Sequence, residues 1–288
     1  MIELTGQSNA PVVLVLGGVS SSRHVTATTD DPSRGWWNDV VGPALTIDTE
    51  RFTVAGADYI ASGDVSTHDQ ARAISAALDD AGIHYLHAIV GASYGGMVAL
   101  ALASLEPDRI ERLVIIGAAH ESSPFATAQR LLQRKVVELG ITTGVATDAL
   151  AIARGLATTT YCTADEYALR FSSRDAEERL GELDRFLTLA GWRYASECTP
   201  ERFLSLSRSL DLHYVDPQTI SCQTTLVGVE QDLLVPPSQL RDLAGRIHGP
   251  CTLEIVDSVS GHDTFLSNHE VIAPIIECAL YSAAGVAA

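Results

Sequence analysis

Lysine is almost missing from this sequence: Lys135 is the one lysine among 288 residues, and arginine supplies the rest of the 19 basic side chains. A Schiff-base mechanism needs an amine beside the reacting carbonyl. Lys135 sits instead in the helix-like spacing Arg130–Arg134–Lys135, so that class is set aside. Positive charge is short overall, with 36 acidic residues giving a formal net charge of -17. Binding nucleic acid or an anionic membrane needs a clustered basic face, which this balance argues against. A small anion can still be held by a few local arginines. The five cysteines, Cys162, Cys198, Cys222, Cys251 and Cys278, form no C-x-x-C pair and no zinc-spaced cluster with histidine. They are expected to be small buried hydrophobes in a reducing compartment, and no metal is expected. No apolar run reaches membrane-spanning length, and the first residues lack a basic and then an apolar leader segment. A soluble cytoplasmic protein is the expectation.

What is present is a chain with 46% hydrophobic content, enough for a substantial core in one domain with an inserted subdomain. Its organising stretch is Gly91-Ala92-Ser93-Tyr94-Gly95-Gly96, between the apolar run Leu86–Val90 and the helix-like Met97–Ala103. This reads as a strand, a sharp turn and a helix, with a serine at the apex and glycines where side chains would strike backbone. Such a turn exposes the hydroxyl and aims N–H groups and a helix N-terminus at any oxyanion formed there.

Upstream, Pro11–Leu16 reads as a central parallel strand ending in Gly17-Gly18, followed by the polar loop Val19–His24. Backbone N–H groups of Gly17, Gly18 or Val19 are candidate second oxyanion donors. Gly35–Pro43 reads as a loop whose paired tryptophans, Trp36 and Trp37, serve as packing anchors. Phe52–Ala57 is the next strand, and a helix capped by Ser66 or Thr67 runs to Gly82. With Arg112–Gly117 as a further strand, the alternation is βαβαβ and the sheet is expected to be parallel. From Pro124 to about Arg208 the patterns are helical only, which predicts a lid inserted over the sheet edge: a core of residues 1–120 and 217–288, and a lid of 121–216. Strands at Thr224–Val229 and Thr252–Val256 and a last helix from about Asn268 to Leu280 complete the pattern.

A serine needs a base, and the base needs an orienting acid; in this architecture the chain order is serine, acid, histidine. Asp232 follows the strand ending at Val229, and His262 follows the strand ending at Val256. Both sit at carboxyl ends of strands, where they can face Ser93. Glu230 is the runner-up acid. His248 and His269 lie at or in helices, and the earlier histidines precede the acid, with His24 and His120 as further pocket candidates.

The words Gly91–Met97, Gly261-His262-Asp263-Thr264-Phe265-Leu266, Gly35-Trp36-Trp37, Ala151–Leu156, Thr160-Tyr161 and Arg202–His213 resemble the homoserine O-acyltransferase family of α/β hydrolases, over nearly the whole chain. The resemblance implies an α/β-hydrolase fold, an acyl-CoA co-substrate with no resident cofactor, and a ping-pong transfer to a small hydroxy amino acid. Ser93, His262 and Asp232 would form the triad. Oxyanion donors would be Tyr94 N–H and one from the Gly17–Val19 loop, with Gly18 as the working assignment. Arg154 would hold the acceptor carboxylate and Asp263 its ammonium group, and Tyr161 joins the substrate-binding set. Ala92, Tyr94 and the first loop are similar to the shorter, succinyl-associated branch, with Arg23 as one candidate partner for a succinyl carboxylate. Serine as acceptor, an esterase or thioesterase with the same triad, and a ligand receptor with a disused triad are the alternatives. A homodimer through the lid helices is also what the family implies.

Overall fold

The computed structural model describes residues 1–281. Its centre is a seven-stranded sheet built from β1 (Ile2–Gly6), β2 (Val12–Leu16), β5 (Thr53–Ala57), β6 (Leu86–Ala92), β7 (Ile110–Ile116), β8 (Gln223–Val229) and β9 (Cys251–Val256). The spatial order is β1-β5-β2-β6-β7-β8-β9. Every neighbouring pair is parallel except β1 with β5, which run antiparallel from Ile2↔Ala57 to Gly6↔Thr53. The sheet is thus the mostly parallel one expected of an α/β-hydrolase fold, with its single antiparallel pairing at that edge. Ile2–Gly6 escapes notice in the sequence because an edge strand with one solvated face lacks the continuous apolar run of the inner strands.

Side-chain alternation divides the core into two layers. Leu14 and Leu16 face a cluster with Ala71, Ile74 and Leu78 of helix α1 (Thr67–Asp80) and with helix α2 (Tyr94–Leu105). Val13 and Val15 face the opposite cluster, with Trp37, Phe52 and Ile276. Ser66 caps α1 in a reciprocal capping box with Asp69. The end of the segment read as a loop, Gly35–Pro43, supplies β3 (Val41–Gly42), which pairs in parallel with β4 (Ile47–Asp48) just beyond it.

Between β7 and β8 the chain forms five helices, α3 (Pro124–Thr143), α4 (Ala146–Thr158), α5 (Ala164–Arg170), α6 (Ala176–Glu197) and α7 (Pro200–Asp211), and no strand is assigned across 124–211. Four of them, α3, α4, α6 and α7, close on a small core of their own, with Val137, Leu150, Ala153, Tyr194, Cys198 and Phe203. At Gly191 an added Cβ would lie 2.3 Å from the Ala151 carbonyl oxygen, so α4 and α6 approach at a distance only glycine permits. Helix α8 (Pro237–Arg246) follows β8.

The expected last helix from Asn268 is corrected. The chain makes a short α9 (Thr264–Ser267), a 3₁₀ turn at His269–Val271, and then α10 (Ala273–Tyr281). Pro274 lies in the first turn of α10, where its missing N–H costs no helical bond.

The order of the sheet places the site. From β2 the chain moves to β5 on one side, and from β6 it moves to β7 on the other. The loops leaving the carboxyl ends of adjacent β2 and β6 therefore diverge, which opens a crevice between them.

Candidate active site

Ser93 stands at the end of β6 with φ 53 and ψ -120, a left-handed φ that few non-glycine residues adopt. Its surroundings impose this conformation. Ser93 N–H donates to the Ile116 carbonyl at 2.8 Å, and Gly95 N–H donates to the Gly17 carbonyl at 2.9 Å, which ties the turn to β7 and to the loop after β2. A Cβ on Gly95 would sit 2.2 Å from the Leu16 carbonyl oxygen. Tyr59 also donates its hydroxyl to the Gly17 carbonyl, at 2.7 Å. Although Ser93 occupies the cap position of α2, its hydroxyl caps no backbone N–H. It meets His262 Nε2 at 2.9 Å instead.

His262 lies in a 3₁₀ turn, Gly261–Asp263, after β9. Its Nδ1 meets Asp232 Oδ2 at 2.7 Å. Asp232 Oδ1 accepts the N–H groups of Leu234 and Val235 at 2.8 and 3.0 Å, so the carboxylate is aimed by its own loop. Asp232 is 3% exposed and His262 7%. Burial by itself disfavours the imidazolium, but the charge and hydrogen bond of Asp232, with the charge of Asp263, outweigh it and raise the His262 pKa above its ordinary value. Glu230 is exposed and within 3.7 Å of Arg241 instead, so Asp232 is the acid of the hydrogen-bonded chain.

The hydroxyl of Ser93 opens on a cleft with two lobes. One lobe lies beneath α3, α4 and α7 and reaches Met97, Arg130, Gln133, Leu206 and Val235. The other is bounded by Gly18, Ser20, Trp36, Asp263 and Phe265. Val19, Ser93, Arg154, Tyr161 and His262 line both. Tyr94 begins α2, so its N–H is one of the first four with no partner inside the helix. A Cβ on Gly18 would lie 4.0 Å from Ser93 Cβ, which brings the loop after β2 against the nucleophile side.

Arg154 comes to the cleft from α4. It donates to the Tyr161 hydroxyl at 3.0 Å, and its guanidinium carbon lies 5.0 Å from the Tyr161 ring centroid and 4.6 Å from that of Tyr194. Two aromatic faces thus fix the orientation of the cation. Asp263 faces it through space. Burial pushes the Asp263 carboxyl up, against the lowering charges of His262 and Arg154. The insertion also grips the histidine loop, with Asp263 N–H donating to the Tyr161 carbonyl at 3.3 Å and the Thr163 hydroxyl to the Val259 carbonyl at 2.6 Å.

Several expectations fail here. Arg23 does not line either lobe; it pairs with Asp58 at 3.1 Å on the outer side of the first loop. His24 binds Glu3 and the Ser33 carbonyl, and His120 packs beside Arg246 and Asp242, so neither is a pocket residue. Trp37 is the packing anchor foreseen, donating to the Phe265 carbonyl at 2.7 Å, whereas Trp36 stacks on it and lines the second lobe. Cys198 and Cys222 are buried, but Cys278 is exposed. Burial pushes the Cys162 thiol up to about 12 and Cys251 to about 11, so neither offers a thiolate nucleophile. Sequence reasoning missed Arg130, Gln133 and Tyr194 at the cleft, because a helix faced on several sides by other helices gives no pattern that separates cleft-lining from packing positions.

A serine hydroxyl bonded to a buried imidazole, itself bonded to a carboxylate, is an arrangement for acyl transfer through a covalent intermediate. The sequence matches the alpha/beta hydrolase fold family over residues 11–269. It is 37% identical to the homoserine O-succinyltransferase of Xanthomonas campestris pv. campestris, covering 96% of this chain and 78% of that one. It is 28% identical to the serine O-succinyltransferase of Litchfieldella anticariensis, covering 95% of this chain and 89% of that one. The fold is similar to the crystal structure of homoserine O-acetyltransferase from Bacillus anthracis, with TM-score 0.89 at 17% identity over 99% of this chain and 93% of that one, a likeness of fold alone.

Proposed function

Because the chain belongs to the alpha/beta hydrolase fold family, and within it to the homoserine O-acyltransferases, we propose that it moves a succinyl group from succinyl-CoA to the hydroxyl of L-homoserine, in methionine and sulfur amino-acid synthesis. The observation that carries this reading is the chain Ser93–His262–Asp232 opening on a cleft that also holds Arg154 and Asp263.

In the first half-reaction Ser93 Oγ bonds to the thioester carbon while His262 Nε2 takes its proton. The tetrahedral oxyanion is held by Tyr94 N–H and by an N–H from the loop after β2, Gly18 in the working assignment, each donor contributing roughly 10²–10³ in rate. The C–S bond then breaks, and the proton held by His262 goes to the CoA sulfur. CoA leaves as a free thiol, and no resident cofactor takes part. In the second half-reaction the acceptor hydroxyl gives its proton to His262 and bonds to the acyl carbon. The bond to Ser93 Oγ breaks, and Ser93 recovers the proton.

Acceptor choice rests on charge. Arg154 binds the acceptor carboxylate, Tyr161 supports it, and Asp263 meets the ammonium group; planar carboxylates suit the guanidinium fork. This pair favours an amino acid over water and so favours transfer over hydrolysis. L-Serine is the second reading, supported by the name of the relative from Litchfieldella anticariensis. It differs from homoserine by one methylene, worth about 1–3 kcal/mol of discrimination. The test is free-thiol release from succinyl-CoA and acetyl-CoA, each with homoserine, serine or no acceptor. Release that requires homoserine is the expected result; release without any acceptor makes the protein a thioesterase.

A further inference from the structure

The cleft contains a second guanidinium that the acceptor does not use. Arg130, from α3, lines only the lobe beneath α3, α4 and α7, Asp263 lines only the other, and Arg154 stands between them and lines both. Arg130 Nε pairs with Asp211 Oδ1 at 2.6 Å, and Arg134 Nη1 approaches Asp211 Oδ2 at 2.6 Å, so two cations share one carboxylate. The trio keeps one positive charge in excess. Its side chains are only 12–13% exposed for the arginines and 8% for Asp211. Glu121, the acidic residue of this lobe, is solvent-exposed. A cation in surplus and largely withdrawn from water is a standing electrostatic cost that an incoming anion relieves. Beside it Gln133 is 4% exposed and lines the same lobe, as does Gln129. Met97, Ala126, Leu206 and Leu210 give that wall an apolar strip, beside the hydroxyls of Ser122, Ser123 and Ser207. The Arg130 charge also reaches His262, which it disfavours in the protonated form.

We propose that the lobe beneath α3, α4 and α7 is the acyl subsite and that Arg130, assisted by the Gln133 amide, receives the distal carboxylate of a dicarboxylic acyl group such as succinyl. This rests on the acyltransferase reading above and assigns donor specificity to a residue of α3. The acyl chain lies along the apolar strip with its carbonyl at Ser93 and its carboxylate at Arg130. An acetyl group fills the near part of the lobe and leaves the surplus charge of the Arg130–Asp211–Arg134 trio unmet. Arg23, the candidate from the first loop, is replaced in this role.

The experiment compares kcat/KM for succinyl-CoA and acetyl-CoA, with homoserine as acceptor, in the wild type, Arg130→Met and Arg130→Lys, with thermal unfolding as a check of the fold. Arg130→Met is expected to lower kcat/KM for succinyl-CoA by roughly 30–100-fold and to change that for acetyl-CoA by less than about 3-fold, the signature of one lost charge-assisted contact. Arg130→Lys is expected to fall between, and KM for homoserine to stay unchanged. An equal fall with both donors, or no fall with succinyl-CoA, overturns the assignment. So does a wild type that uses acetyl-CoA alone. If Arg130→Met does not fold, Arg130→Lys and Gln133→Leu carry the same comparison. A donor preference that tracks Arg130 while the acyl group goes to water leaves the subsite standing and overturns the acceptor reading.

Discussion

Asp232 divides its work between its two oxygens. Oδ1 is occupied by Leu234 and Val235 N–H, which leaves Oδ2 fixed on His262 Nδ1. In the proposed mechanism the carboxylate thereby sets the tautomer of the imidazole and stabilises the imidazolium of each half-reaction. Because the neutral imidazole is the base and its pKa is raised, kcat/KM should rise with pH through a limb above the ordinary histidine value near 6.5. Asp232→Asn removes the charge that raises it, so that limb should move to lower pH while the plateau falls by roughly 10⁴. A pH–rate profile of both proteins checks the two effects together. An unchanged limb would mean that His262 is not the group being titrated.

Two elements bear most of the function. The turn between β6 and α2 keeps a non-glycine residue at positive φ, and Gly95 makes that possible by passing against the Leu16 carbonyl. Gly95→Ala forces backbone apart at the centre of the sheet, a cost of about 3 kcal/mol or more. Scanning calorimetry should show Tm lowered by roughly 6–12 °C, and kcat should fall with the displaced serine. Helix α4 contributes differently. It brings Arg154 between Tyr161 and Tyr194. If Arg154 holds the acceptor carboxylate as proposed, Arg154→Ala should raise KM for homoserine roughly 10–100-fold with a smaller change in KM for the acyl-CoA. Arg154→Lys should recover little of it, since an ammonium cannot reproduce the stacked fork. Steady-state kinetics with each substrate varied in turn distinguishes these outcomes.

At the scale of the whole molecule, the formal charge of -17 repels an anionic donor on approach. Raising ionic strength from about 10 to 150 mM shortens the screening length from roughly 30 to 8 Å. The kcat/KM for acyl-CoA should therefore rise over that range, by about 2- to 5-fold, while KM for zwitterionic homoserine stays nearly constant. A fall with salt would point to local positive charge at the cleft mouth controlling capture of the donor. The molecule thus combines an unfavourable long-range field with two arginines inside the cleft, Arg130 and Arg154.

The sequence by itself determined the parts that are local in the chain. The strand-turn-helix around Ser93 follows from glycine placement, and the positions of Asp232 and His262 follow from two strands ending just before them. The helical character of 124–211 follows from the spacing of its apolar residues. Tertiary structure decided what depends on which surfaces meet. It set β1 antiparallel on the edge, interrupted the last helical stretch between Ser267 and Ala273, and turned Arg23, His24 and His120 away from the cleft. It also brought in Arg130, Gln133, Tyr194 and Trp36. A turn is governed by steric limits on a few adjacent residues, and those limits are written in residue types. Which face of α3 or α4 looks into the cleft is governed instead by how five helices pack on one another and on the sheet, and no short stretch of sequence contains that.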